Sequence, residues 1–200
     1  MSSVFTFIAL IPYYLFGAFP SGRLVARLYG VDITSVGSGN VGATNVSRAV
    51  GKKAGIITLV CDVTKGALAI SLAKACSAEV WFVASAGVAV VAGHCFSIPT
   101  VLKGGKGVAT ALGVLIMISP CAALVAMTTF TLIFSFTKIV SISSIVSALV
   151  VPTVSLILNA ADSIVSAQAI LAALVIYRHR ENIRRLIEGR EPQFEFKKKM

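Results

Sequence analysis

The chain has 200 residues, 56% hydrophobic and 13% charged, and 18 Lys and Arg against 8 Asp and Glu give it a formal net charge of +10. Mean hydropathy is +0.90. Soluble domains carry about a quarter of their residues as charges and disordered chains are poor in apolar residues, so both classes are excluded. A polytopic membrane protein with its charges gathered into short segments is expected.

Uncharged runs cover 1–22, 80–102, 107–137, 139–161 and 163–177, and 54–73 is interrupted only by Asp62 and Lys65. A helix crosses a bilayer with about 20 apolar residues. Run 107–137 would be roughly 46 Å long as one helix, and Ser119-Pro120 divides it, since proline removes a helix donor. The pattern predicts an all-α bundle forming one integral-membrane domain over 1–200, with seven spans near 3–22, 54–73, 80–100, 108–118, 121–137, 139–159 and 163–177. Seven spans put Arg23, Arg27, Arg48, Lys52, Lys53, Lys103, Lys106, Lys138 and the basic tail from Arg178 on one side. The positive-inside rule makes that side cytoplasmic, with the N-terminus outside. The first run lacks a positive n-region and a small-x-small cleavage site, so it reads as an uncleaved anchor.

Cys61, Cys76, Cys95 and Cys121 form no C-x-x-C pair and lie in or beside apolar runs, as small buried hydrophobes do. Neither a disulfide nor a metal site is indicated.

Three polar segments exceed what connectors need. The first runs from Gly37 through Ser38, Gly39, Asn40, Gly42, Thr44 and Asn45 to Arg48. It contains G-x-G-x-x-G, but no strand precedes it and no βαβ unit follows, so a dinucleotide site is rejected. Closely spaced glycines still let backbone N–H groups approach an anion, and Arg48 adds a forked cation. A flexible connector is the simpler alternative. The second, Lys103-Gly104-Gly105-Lys106-Gly107, opens a span, so helix-start amides and ammonium groups can face one ligand. As a plain basic loop it would also satisfy topology. It is not a Walker A loop. The third, Tyr177 to Glu191, puts His179 and Asn182 on one face if helical, with Glu181 able to pair with Arg185 at i,i+4. A basic helix on anionic lipid headgroups would explain its arginines equally well.

Asp62 and Lys65, at i,i+3 in the second run, are costly alone in lipid and are expected to face the bundle interior and each other. They could be a structural ion pair or take part in catalysis. His94, at the end of the third run, could be a core histidine or a site residue.

The three segments fall on one side of the membrane and gather Arg48, Lys103, Lys106, His179, Asn182 and glycine-loop amides. So many cations with so few acids predict an anionic ligand bearing one or two phosphates. The five motifs G-S-G-N-x-G-A-T-N-x-x-R (37–48), D-x-x-K-G (62–66), G-H-x-F (93–96), K-G-G-K-G-V-A-T (103–110) and H-R-x-N-I-x-R-L-x-x-G-x-E (179–191) occur in order. In that order and spacing the chain resembles the bacterial membrane glycerol-3-phosphate acyltransferases that use acyl-phosphate. Ser47, where an aliphatic residue is expected, and Leu102, where Phe is expected, are its mild departures.

The resemblance implies acyl transfer from acyl-phosphate to sn-glycerol 3-phosphate, giving lysophosphatidate and phosphate, as the first acylation of phospholipid synthesis. It implies a multi-pass protein of the bacterial inner membrane, working beside an enzyme that forms acyl-phosphate, in contact with membrane lipid and not with nucleic acid. No cofactor is expected. On this reading Arg48, His179 and Asn182 hold glycerol phosphate. The Gly37–Gly42 loop, with Ser38, Gly39, Asn40, Gly42, Thr44 and Asn45, holds the acyl-phosphate's phosphate. Lys106, supported by Lys103, Gly104 and Gly105, stabilises charge, and the hydroxyl proton goes to a substrate phosphate or to His179. Lys106, His179 and Asn182 are the expected catalytic residues. A transporter or flippase for a phosphorylated solute or lipid is the alternative, although transporter sites lie near the midplane between inverted repeats and no repeat is visible.

Overall fold

The computed structural model describes residues 3–97 and 104–194, with side chains from Phe7 onward. Lys103 and the end of the expected 80–100 span lie outside the described residues. Ten helices and no strand occur among those described: α1 (Ser3–Gly17), α2 (Ser21–Leu28), α3 (Ala43–Ala49), α4 (Lys52–Cys76), α5 (Val80–Phe96), α6 (Val108–Ile118), α7 (Pro120–Thr137), α8 (Val140–Ile157), α9 (Asp162–Arg178) and α10 (Arg180–Ile187). Four stretches, Phe7–Leu28, Lys52–Cys76, Pro120–Thr137 and Val140–Ile157, are long and apolar enough to cross a membrane, and Val80–Phe96 and Val108–Ile118 are shorter apolar helices.

The break expected at Ser119-Pro120 is present. α6 stops at Ile118 and Pro120 opens α7, at the helix position where a missing N–H is harmless. The first run differs from the expected 3–22. Pro20 cannot continue a helix ladder and restricts Phe19, so α1 ends at Gly17 and a separate α2 begins at Ser21. α2 is amphipathic: it buries Ser21, Gly22, Val25 and Ala26 and exposes Leu24 and Leu28. α4 overruns the expected 54–73 at both ends, where the exposed Lys52, Lys53 and Lys74 lie.

α4 packs on α6, α1 on α5, and α8 on both α7 and α9. Glycine sets the closest approaches. A Cβ at Gly66 would strike the Thr110 carbonyl and one at Gly113 the Val63 carbonyl, and Gly17 and Gly93 meet the Val90 and Tyr14 carbonyls in the same way. Lipid tails are as apolar as leucine, so helices in a membrane gain by such close backbone packing. Ile70, Val90, Val91, Val114 and Leu171 fill the centre. Val25, Ile33, Val41 and Val46 form a second cluster that binds α2 and α3 to the start of α4.

α6 has 11 residues, roughly 16 Å at 1.5 Å each. Its first turn meets Gly66, more than halfway along α4, and Lys74 near the end of α4 donates to the Met117 carbonyl at 2.6 Å. The short helix therefore runs beside the second half of α4, and the 104–107 segment before it lies deep within the bundle.

Gly113→Val should force α4 and α6 apart, costing about 1–3 kcal/mol as overpacked cores do. Ile116→Val, on the exposed face of the same helix, should stay within about 0.5 kcal/mol. Thermal unfolding of both variants in detergent checks this contrast.

Candidate active site

Gly37 and Gly39 have φ of +62° and +65°, the left-handed region open to glycine. The loop they shape closes around Asn45, which is 3% exposed. Asn45 Oδ1 accepts the Ser38 N–H at 3.1 Å, and Nδ2 donates to the carbonyls of Asn40 (2.9 Å), Val36 (3.0 Å) and Ile33 (3.4 Å). Both ends of the carboxamide are thus committed to the backbone, so Asn45 holds the loop's shape and has no donor left for a ligand. Ser38 is exposed and Thr44 half-buried. Arg48, in the last turn of α3, reaches the Pro192 carbonyl at 3.4 Å and lies 5.7 Å over the Phe194 ring.

The second glycine segment is docked through its backbone. Gly105 N–H donates to the His94 carbonyl at 2.9 Å. Arg178 Nε and Nη2 donate to the Gly105 and Gly104 carbonyls at 2.9 and 3.0 Å, with the guanidinium 5.8 Å over Phe96. Side chains at 104 or 105 would collide with the end of α5. In the sequence Arg178 is one cation among those of the basic tail. Its signal was its place immediately before the H-R-x-N motif.

From this anchored segment Lys106 reaches α10. Lys106 Nζ donates to Asn182 Oδ1 at 2.5 Å, and Asn182 Nδ2 donates to Glu191 Oε1 at 2.5 Å. Glu191 also accepts Ser141 Oγ (2.8 Å) and Arg185 Nε (2.7 Å). The expected Glu181–Arg185 pair is therefore not the one observed. Arg185 turns to Glu191, whose side chain is 7% exposed, because a carboxylate withdrawn from water needs several donors, while Glu181 stays exposed. Glu191, quoted in the motif but given no task, is the acid that orients Asn182.

His179 and Asn182 are both buried, as their i,i+3 spacing suggested. His179 Nδ1 lies 2.7 Å from the Val175 carbonyl. A carbonyl only accepts, so Nδ1 carries the proton and the neutral ring has its lone pair at Nε2. Burial, reinforced by the Lys106 charge, pushes the His179 imidazole down to about 4. Burial likewise pushes the Lys106 ammonium down to about 8, with Glu191 opposing and Arg185 and Arg48 adding. Burial would raise the Glu191 carboxyl, but bonds from Asn182, Arg185 and Ser141 hold it below its usual value. Arg48, Lys106, His179 and Asn182 thus share one electrostatic neighbourhood around a single well-bonded carboxylate.

A second polar group lies beside it. Asp62 Oδ1 accepts from Ser21 Oγ, lies 3.0 Å from Lys65 Nζ and 3.5 Å from His94 Nδ1. Lys65 Nζ also contacts His94 Nδ1 at 3.0 Å and the Phe19 carbonyl at 3.2 Å. The expected Asp62–Lys65 facing is observed, and the convergence of His94 and Ser21 from other helices is new.

The family described as glycerol-3-phosphate acyltransferase matches residues 7–189. This chain belongs to that family. Among its relatives, glycerol-3-phosphate acyltransferases of Geotalea daltonii (43% identical, covering 94% of this chain and 96% of the relative) and Aquifex aeolicus (41%, covering 90% and 95%) span nearly the whole protein. Two crystal structures of PlsY, an integral membrane glycerol 3-phosphate acyltransferase, superpose with TM-scores of 0.88 and 0.87 at 40% and 39% identity. The first, the glycerol 3-phosphate form, covers 95% of this chain and 96% of its own, and the second, the lysophosphatidic acid form, covers 96% of each. Like PlsY, this acyltransferase is an all-helical, multi-pass membrane protein.

Because Lys106 titrates at about 8, its positive charge is full below that pH and lost above it. Affinity for a phosphate-bearing ligand, measured by calorimetry in detergent, should fall as pH rises through about 8. Lys106→Met should bind weakly at every pH and lack this step.

Proposed function

We propose that the protein transfers an acyl group from an acyl-phosphate to a hydroxyl of sn-glycerol 3-phosphate, giving 1-acyl-sn-glycerol 3-phosphate and inorganic phosphate. The observation that carries this reading is the Lys106–Asn182–Glu191 chain beside Arg48 and a neutral His179, next to two glycine segments that carry N–H donors. That is a cation-rich, nearly acid-free setting for two phosphates. The relatives act on glycerol 3-phosphate, and PlsY is known in forms with that substrate and with lysophosphatidic acid.

In the reaction the glycerol hydroxyl oxygen attacks the acyl carbonyl carbon. The bond from that carbon to the bridging oxygen breaks, and its electron pair leaves with phosphate. An acyl-phosphate is a mixed anhydride with a good leaving group, so positioning and charge stabilisation supply most of the catalysis. The sequence agrees, since neither His94 nor His179 has an Asp five residues later and the H-x-x-x-x-D pattern of acyl-CoA-using relatives is missing. Arg48, His179 and Asn182 hold glycerol 3-phosphate. Ser38, Thr44 and the amides of Asn40 and Gly42 hold the donor's phosphate, in a loop kept in shape by Asn45 and by Gly39, whose N–H donates to the Val36 carbonyl. Lys106, with Lys103, Gly104 and Gly105 beside it, offsets charge on the leaving phosphate. The hydroxyl proton passes to His179 Nε2, whose lone pair is free in the neutral ring, or to a phosphate oxygen of the substrates.

The same reading places seven crossings in the bacterial inner membrane, with α6 the short one, the N-terminus outside and the site open to the cytoplasm. An acyl-phosphate has an apolar chain on an anionic, easily hydrolysed head, which favours supply by an enzyme working alongside.

Purified protein in detergent, given acyl-phosphate and glycerol 3-phosphate, should release phosphate and form lysophosphatidate without a membrane gradient. Arg48→Lys and Lys106→Arg should each lower kcat/KM by about 100-fold or more, as loss of a charge-stabilising donor does. Near-normal turnover in both would sink the site assignment, and turnover with acyl-CoA in place of acyl-phosphate would overturn the donor.

A further inference from the structure

The Lys65 ammonium has three protons and three acceptors. Asp62 Oδ1 lies at 3.0 Å, His94 Nδ1 at 3.0 Å and the Phe19 carbonyl at 3.2 Å. Lys65 is 4% and Asp62 1% exposed, so water does not compete for these bonds. An ammonium donates and never accepts, and at 3.0 Å from Nδ1 it requires a lone pair there. An imidazolium, or a ring with its proton on Nδ1, would set N–H against N–H. The 3.5 Å separation between His94 Nδ1 and Asp62 Oδ1 is long for a hydrogen bond, so the two form an electrostatic contact without a shared proton. His94 is therefore a neutral ring with its proton on Nε2.

That N–H has no partner among the described residues. Nε2 occupies the place where a Cβ of residue 105 would stand, so the ring edge reaches the second glycine segment because glycine is there. Ser21, Val41, His94, Ser97 and Gly104 line a small gap. Its walls come from the α1–α2 break, the first glycine loop, the end of α5 and the second glycine segment. A lone, fixed donor between two anion-binding loops matches a phosphate oxygen.

We infer that His94 Nε2–H donates a hydrogen bond to a phosphate oxygen of the acyl-phosphate, and that Asp62 and Lys65 are positioning residues that fix its tautomer. This rests on the proposed donor. His94 touches the substrate and neither takes nor gives a proton during the reaction. Lys65 acts by filling Nδ1, and Asp62 by balancing the ammonium's charge and, through Ser21, fixing α2 against α4.

The chain has two histidines, and the structure gives them opposite tautomers, Nδ1–H for His179 and Nε2–H for His94. Two-bond proton–nitrogen correlation spectra of the histidine-labelled protein in detergent should show one pattern of each kind. His179→Gln should remove the first, and Lys65→Met should abolish the second pattern's Nε2–H preference. In kinetics, His94→Phe should raise KM for acyl-phosphate about tenfold or more, the weight of a hydrogen bond to a charged group. KM for glycerol 3-phosphate should stay within about twofold, a separation that general misfolding would not give. His94→Gln, whose amide N–H can reach the Nε2 position, should recover most of the loss. No turnover of acyl-phosphate by the unaltered enzyme overturns the donor reading above. Normal turnover combined with an Nδ1–H or imidazolium signature for His94 overturns its assigned role, as do two KM values that rise together.

Discussion

The buried ammonium of Lys65 is the constraint on which the rest of the structure depends. A charge at mid-helix depth in an apolar bundle is tolerated only when paired and fully hydrogen-bonded, and Lys65 meets that demand from three directions. Asp62 lies on its own helix, His94 on α5, and the Phe19 carbonyl, which among the described backbone groups accepts only the Ser21 N–H because the chain breaks at Pro20, completes the set. An unbroken α1 would draw that carbonyl into the helix ladder. The break, the ion pair and the position of α5 are one solution to one electrostatic problem. α5 in turn offers the His94 carbonyl on which Gly105 docks, which sets the depth at which α6 begins and explains its shortness.

The second polar chain works differently, since it meets the site at its surface. Asn182 is held in one amide orientation, because a flipped amide would set its carbonyl against Glu191 and its NH₂ against Lys106. Glu191 therefore acts at a distance: three donors satisfy it, one of them Asn182, whose oxygen in turn steadies Lys106. The ammonium has further protons for a ligand, and its lowered pKa records how little water it keeps. A charge already stripped of water and already oriented reorganises little when substrate charge develops, which is the physical basis of preorganised catalysis.

Much of this was legible in sequence, and the part that was not has a common cause. Apolar run lengths revealed the helices, and Pro120 revealed the α6–α7 break, because both are local. Glycine, cation and amide residues in short segments revealed the chemistry expected of the site. Composition cannot tell a carboxamide facing a ligand from one committed to four backbone groups, so the sequence alone offers Asn45 as a ligand donor. The α1–α2 break was missed because Pro20 stands at the end of an uncharged run, where hydropathy has no edge. Arg178 and Glu191 were hidden among like neighbours. Only the packing of α9 and α10 shows that one holds the glycine carbonyls and the other Asn182. Asp62 and Lys65 were paired correctly by helical spacing, but His94 lies 29 residues from Lys65, and no local pattern measures that distance.

The two histidines bring these strands together. Each has Nδ1 fixed by a neighbour of opposite character: a carbonyl that must accept for His179, an ammonium that must donate for His94. The first leaves a lone pair at Nε2 and the second leaves a proton there. Identical side chains in one small bundle thus offer an acceptor and a donor without either being charged. For the two phosphate-bearing substrates proposed above, neutral histidines are the better choice, since Lys106 and Arg48 would repel an imidazolium. A carboxylate hydrogen-bonded to either ring would favour the charged form; Asp62, 3.5 Å from His94 Nδ1, is instead paired with the Lys65 ammonium at 3.0 Å. Holding Asp62 on Lys65 rather than in a hydrogen bond to His94, with no H-x-x-x-x-D pattern in the sequence, suits a setting dense in fixed cations.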